Sequence, residues 1–162
     1  MTPKSLRTNH DAPDTQAEIA DAVLSMVRSA EIFQYGLAQI LRAKGMTPAQ
    51  YHTLVALRGA GQDGLLCGAV AALLPTPVPD LTRVLDKVEA RGWAVRKRDT
   101  ADRRAVRVWI TPAGRALLRQ LETPVKRANA VLLRGLSEAE VGQLGNLLSK
   151  LREGLAADPD AA

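Results

Sequence analysis

The chain has 162 residues, 46% of them hydrophobic, a size and apolar content that suit one compact domain with or without extra helices and exclude wholesale disorder. Its 22 basic residues against 17 acidic ones leave a net charge of +5, which acquires meaning only where the excess is concentrated. Cys67 is the only cysteine, which excludes an intramolecular disulfide and suits a reducing compartment, and the longest apolar run, 65–74, is about half of what spans a bilayer.

Residues 1–16 are polar, carry Pro3 and Pro13, and read as a loose N-terminal tail. Lys4 and Arg7 are followed by Thr8, Asn9, His10 and Asp11 and not by the apolar segment of an export signal, which predicts a cytoplasmic location without membrane attachment. From about Ala17 the pattern is helical. Val23, Met26, Ala30, Phe33, Leu37 and Ile40 lie three or four residues apart on one stripe of a long helix that Gly45 closes. A second helix opens with Thr47 as N-cap and Pro48 at its first position, and buries Tyr51, Leu54, Val55 and Leu57. The apolar segment 66–74 predicts a short third helix ended by Pro75, with Cys67 as a packed apolar residue. After the Pro-rich stretch 75–79, a fourth helix over about 80–91 presents Leu81, Val84, Leu85 and Val88 on its apolar face, with Gly92 as its stop.

The period then changes. Residues 93–98 read as a strand, and Val106, Val108 and Ile110 alternate with Arg107 and Trp109 as a second, across a polar turn at 99–103. Thr111 and Pro112 open another helix, with Leu118, Leu121, Val125, Ala128 and Leu132 on its stripe and a kink expected at Pro124. Ser137 and Glu140 form a capping-box pair ahead of a last helix striped by Val141, Leu144, Leu148, Leu151 and Leu155. Residues 156–162 read as a frayed tail.

Three helices followed by a two-stranded hairpin is the order of a winged helix, in which the third helix enters a groove and the hairpin flanks it. Charge is concentrated at that place. Between 91 and 107 stand Arg91, Arg96, Lys97, Arg98, Arg103, Arg104 and Arg107 against only Asp99 and Asp102, a local surplus equal to that of the whole chain. A charge run is ordinarily a solvated face. Its position beside a candidate recognition helix turns the reading toward nucleic acid.

The segments Leu81-Thr82-Arg83-Val84-Leu85-Asp86-Lys87-Val88-Glu89-Ala90-Arg91-Gly92-Trp93, Asp99-Thr100-Ala101-Asp102-Arg103-Arg104 and Ile110-Thr111-Pro112-Ala113-Gly114 resemble the signature of the MarR family. The family pattern is Leu-Glu-x-x-Gly, then Asp-x-x-Asp-x-Arg, then Leu-Thr-x-x-Gly, with Val88 and Ile110 standing here for Leu. The resemblance is specific over 79–115 and agrees in helix order over about 17–155. It implies a mainly α fold with a small β-hairpin wing: a winged helix-turn-helix module at 46–111, with dimerisation helices at 17–45 and 112–155. It also implies a transcriptional regulator, expected to be a repressor, that binds palindromic double-stranded DNA as a homodimer and uses no enzyme chemistry, cofactor or metal.

Residue by residue, the resemblance implies that Thr82, Arg83, Asp86 and Lys87 face the major groove or its phosphates. Arg104 would enter the minor groove, its guanidinium held by Asp102, with phosphate contacts from Arg96, Arg98, Arg103 and Arg107. The family's usual Ser or Thr at the start of the recognition helix is replaced by proline-rich sequence, leaving Thr76 as the hydroxyl donor. Family members are often released from DNA by a small aromatic or anionic effector, for which Phe33, Tyr35, Tyr51, His52 and Trp109 are the candidate lining. With two histidines, one cysteine and no recognised phosphate loop, the sequence offers no catalytic or zinc set. The remaining alternative is a winged helix used for protein–protein contact without ligand control, which would not need the seven basic residues around the wing.

Overall fold

The computed structural model describes residues 15–99, 102 and 104–157. In chain order the elements are α1 (Thr15–Arg42), α2 (Pro48–Gly59), β1 (Leu65–Leu66), α3 (Cys67–Ala71), α4 (Leu81–Ala90), β2 (Ala94–Arg98), β3 (Val106–Ile110), α5 (Pro112–Leu133) and α6 (Glu138–Ala157). α1 therefore begins inside the expected N-terminal tail, and α6 runs slightly into the expected C-terminal one.

Local sequence sets most boundaries. At α2 the Thr47 hydroxyl accepts the Gln50 N–H while the Gln50 side chain accepts the Thr47 N–H, and Pro48 occupies the first turn where its missing N–H costs nothing. Asp80 caps α4 by accepting the Arg83 N–H at 2.9 Å. Gly92, at φ 69°, takes the left-handed conformation that ends α4. Thr111 caps α5 by accepting the Gly114 N–H, and its hydroxyl donates to the Gly92 carbonyl at 2.6 Å, tying the end of the recognition helix to the start of α5. α5 continues through Pro124 as one helix. At α6 Glu140 accepts from both the N–H and the hydroxyl of Ser137, bonds that hold its carboxyl below the usual carboxylate range.

The sheet has three antiparallel strands in the order β1-β3-β2, where the sequence predicted two. The added strand comes from the segment expected to be helical over 66–74. Leu65 and Leu66 pair with Val108 and Arg107, and only Cys67–Ala71 is helix. Gly64 makes this approach possible, because a Cβ there would stand 2.6 Å from the Val108 carbonyl oxygen and 2.7 Å from the Trp109 ring nitrogen. Gly114 is constrained likewise: its Cβ would lie 2.2 Å from the Trp93 carbonyl oxygen.

The core draws Leu37 and Leu41 from α1, Leu54 and Leu57 from α2, Val70 from α3, Leu85 and Val88 from α4, Ala94, Val108 and Ile110 from the sheet, and Leu118 and Leu121 from α5. Cys67 packs half-buried against it. The apolar stripes of α1 and α6 divide accordingly. Leu37 is buried, whereas Val23 and Met26 in the same stripe, and Leu144, Leu147, Leu151 and Leu155 of α6, remain exposed. No helix among the described residues is long and apolar enough to cross a membrane.

Candidate nucleic-acid interface

The recognition helix divides its residues by helical geometry. Leu85 and Val88 are buried and Leu81 and Val84 half-buried, which leaves Thr82, Arg83, Asp86 and Lys87 exposed together on the opposite face. Thr76 is exposed in the turn between α3 and α4. β2 runs antiparallel to β3, with Arg96 opposite Val108, Lys97 opposite Arg107 and Arg98 opposite Val106. Strand alternation puts Arg96 on the face that packs toward α4 and Arg107 on the other face.

Both arginines are committed within the protein. Arg96 donates from Nη1 to Asp86 Oδ1 at 2.5 Å and to Glu89 Oε2 at 3.4 Å, and from Nη2 to the Thr82 carbonyl at 3.1 Å. Its backbone N–H donates to Glu89 Oε1 at 2.9 Å. Arg107 donates from Nε to Asp99 Oδ2 at 2.6 Å and from Nη1 to the carbonyls of Asp63 and Gly64. The phosphate contacts expected of these two side chains therefore compete with intramolecular ion pairs. Sequence periodicity puts an arginine on a strand but does not reveal which acidic side chain it meets. Asp86, expected to face a groove, is exposed yet bonded to Arg96.

The wing turn is built on two aspartates. Asp99 is 7% exposed. Besides its Arg107 pair, it accepts the Asp102 N–H on Oδ1 at 3.0 Å, and its own N–H donates to the Ala105 carbonyl. Asp102 Oδ1 accepts the backbone N–H of Arg104 at 2.9 Å. A short carboxylate two residues back thus reaches the main chain of the turn, and among the described residues it makes no ion pair with the Arg104 guanidinium. Arg103 lies outside the described residues. Among the described residues, the side chains of Lys97, Arg98 and Arg104 are exposed and form no ion pair. Arg91 stacks over the Trp93 ring, 5.0 Å from its centroid.

Of the five residues expected to line one effector cleft, Phe33 and His52 border separate depressions. Phe33 borders an apolar cleft of about 320 Å³ between α1 and α5, with Ile32, Gly36, Val131 and Leu132. Tyr35, 70% exposed, points away from the core. His52 borders a separate depression of about 550 Å³ with Val55, Ala56, Leu65 and Leu73. Tyr51 meets His52 edge to face and has its pKa raised by burial, offset in part by Arg58. Trp109 donates its ring N–H to the Gln62 carbonyl at 3.0 Å, joining the β1 approach. No cluster of metal-ligating side chains occurs among the described residues.

A helix-turn-helix whose exposed recognition face adjoins a basic two-stranded wing defines a winged helix-turn-helix protein. Residues 44–105 match the model of the MarR family. The chain is similar to a mutant MarR from E. coli complexed with operator DNA, at 27% identity and a TM-score of 0.73 over 83% of this chain and 95% of that one. It resembles a MarR transcription factor from Planctomyces limnophilus at 29% identity and a TM-score of 0.63, over 86% of this chain and 97% of the other. A MarR family regulator from Streptomyces coelicolor, in complex with DNA, shares the fold at a TM-score of 0.78 and 23% identity, over 91% and 93% of the two chains. Over residues 44–105, which run from just before α2 into the wing turn, the chain is similar to the MarR family of transcriptional regulators.

Proposed function

We propose that the protein regulates transcription by binding a specific palindromic site in double-stranded DNA as a twofold homodimer. One observation carries the reading: the exposed face Thr82, Arg83, Asp86 and Lys87 of α4 adjoins a wing whose Lys97, Arg98 and Arg104 side chains are exposed and, among the described residues, make no ion pair. Such cations neutralise phosphates and displace counterions, while a polar helix face can read base edges in the major groove. Arg104 at the wing turn is the candidate for the minor groove, where a guanidinium meets the most negative potential over A·T-rich DNA. Thr76, Arg98 and Arg103 are candidate phosphate contacts. Related proteins from E. coli and S. aureus, each 27% identical to this chain, have been captured on DNA, which supports the assignment.

The homodimer is supported by the exposed apolar residues on the first half of α1 and along α6, the segments that contribute least to the protomer's core. Joining 17–45 and 112–155 of two copies would cover them and space two recognition helices about one DNA turn apart. We also assign the protein as a cytoplasmic repressor released by a small aromatic or anionic effector. The apolar cleft at Phe33 supports this, because it lies between α1 and α5, where an occupant would alter how the paired helices carry the DNA-binding modules. Selecting duplexes from a random pool tests the central reading. Enrichment of a two-half-site palindrome is expected, and a pool that stays random after repeated rounds contradicts it.

A further inference from the structure

We infer that Arg96 is the positioning residue that fixes the wing against the recognition helix, and that Glu89 works with it, although neither supplies a DNA contact. The inference rests on the DNA-binding reading above. Three acceptors on α4 converge on one guanidinium: the carboxylates of Asp86 and Glu89 and the carbonyl of Thr82. These span the helix from its first turn to its last. Glu89 also accepts the Arg96 backbone N–H, so one carboxylate holds the main chain and the side chain of β2 together.

The side-chain exposures set this arginine apart from its neighbours. Arg96 is 21% exposed and Glu89 38%, whereas Lys97 and Arg98 on the same strand are open to solvent. A guanidinium spreads its donors over a rigid planar fork and so reaches acceptors on diverging lines, whereas an ammonium gathers its donors on one compact atom. Among the described residues its buried Nε has no partner, so the side chain is held through its Nη bonds and enclosed by packing. On the opposite face of the sheet, Arg107 ties β3 to Asp99 at the wing base and to the carbonyls of Asp63 and Gly64. The wing is thus anchored from both faces, and the Arg96 anchor sets its distance from the helix that would read the major groove.

Positioning and phosphate contact predict opposite responses to loss of Glu89. An acid beside a phosphate-binding surface weakens DNA binding, so Glu89→Gln should tighten every complex if Arg96 only contacts phosphate. If the pair aligns the wing, the same change should weaken the specific complex and leave non-specific binding intact.

The experiment measures affinity over a salt series for the wild type, Glu89→Gln, Arg96→Gln and Arg96→Lys. The probes are the duplex that the wild type enriches from a random pool and a scrambled duplex of equal length, and circular dichroism checks folding. The expected result is a loss of about tenfold or more on the enriched duplex for all three variants, with Glu89→Gln within about twofold of wild type on the scrambled one. Arg96→Lys keeps the charge but not the fork, and so should fail to rescue. The inference is overturned if Glu89→Gln binds the enriched duplex as tightly as wild type or more tightly. It is also overturned if Arg96→Lys restores affinity and Arg96→Gln weakens both duplexes alike with a salt slope lower by about one. A wild type that binds no duplex would overturn the DNA-binding reading along with this one, whereas wild-type binding with an unaffected Glu89→Gln overturns this one alone.

Discussion

Asp102 holds Arg104 by its backbone, accepting the arginine's N–H at 2.9 Å and leaving the guanidinium to project from the wing turn. The carboxylate therefore acts as a hydrogen-bond acceptor that shapes the loop, and its charge is secondary. Asp102→Asn keeps an acceptor oxygen at that place and should bind DNA within a few fold of wild type. Asp102→Ala removes it and should weaken the specific complex further. Arg104→Ala should cost roughly 1–3 kcal/mol of specific binding, the range of one good base-level contact. Fluorescence anisotropy on the selected duplex checks the order. Equal losses for Asp102→Asn and Asp102→Ala would show that the charge matters, not the acceptor.

Gly114 is placed for close approach, with no room for a Cβ beside the Trp93 carbonyl. Gly114→Ala should force α5 away from the end of α4 and disturb the Thr111 hydroxyl bridge to Gly92. A destabilisation of about 1–3 kcal/mol or more is expected, as for overpacking at a tight contact. Urea unfolding monitored by circular dichroism measures it, and a change below about 0.5 kcal/mol, the size of an ordinary surface substitution, would contradict this account.

Most of the fold was legible in the sequence because its elements announce themselves locally. Thr47-Pro48, Thr111-Pro112 and Ser137 with Glu140 start helices where expected, and the alternation at Val106, Val108 and Ile110 marks β3 at its observed limits. β1 escaped notice because Leu65 and Leu66 adjoin a helix with no polar break, and their strand conformation comes from pairing with β3, a long-range contact. At the candidate site, the exposed face of α4 follows from periodicity. The commitments of Arg96 and Arg107 do not, since Glu89, Asp86 and Asp99 reach them only once the chain has folded back. Thr47 was readable as an N-cap, whereas its partner Gln50 and the Asp80 cap of α4 appear only in the structure.

Leu151 is 52% exposed on α6, in line with Leu144, Leu147 and Leu155. Burying such a leucine fully against a partner contributes roughly 1.5–3 kcal/mol. Leu151→Lys should therefore shift the protein from dimer to monomer in sedimentation while preserving its helix content, and lower affinity for the palindrome more than for a half-site. Deleting 137–162 should have the same effect in stronger form. An undiminished dimer after both changes would place the interface elsewhere.

Burial holds the His52 imidazole below its ordinary pKa of 6.5, so the folded state favours the neutral ring. As pH falls, the unfolded chain takes up this proton first. The resulting stability is fully present above about 6.5 and declines as pH drops toward the lower folded value. Wild type should accordingly lose more stability than His52→Gln between about pH 7.5 and about pH 5. Parallel urea titrations of the two proteins check the sign, and identical losses would remove His52 from the account.

The central claim is that a twofold dimer recognises a palindrome with α4 and a basic wing, and equilibrium titration of the wild type tests it most directly. The probes are the selected palindrome, the same duplex with one half-site scrambled, and a fully scrambled duplex, each across a salt series. The account predicts two chains per palindrome, a preference over the scrambled duplex of about a thousandfold or more, and weakening of every complex as salt rises. Equal affinity for all three duplexes at every salt concentration would contradict it.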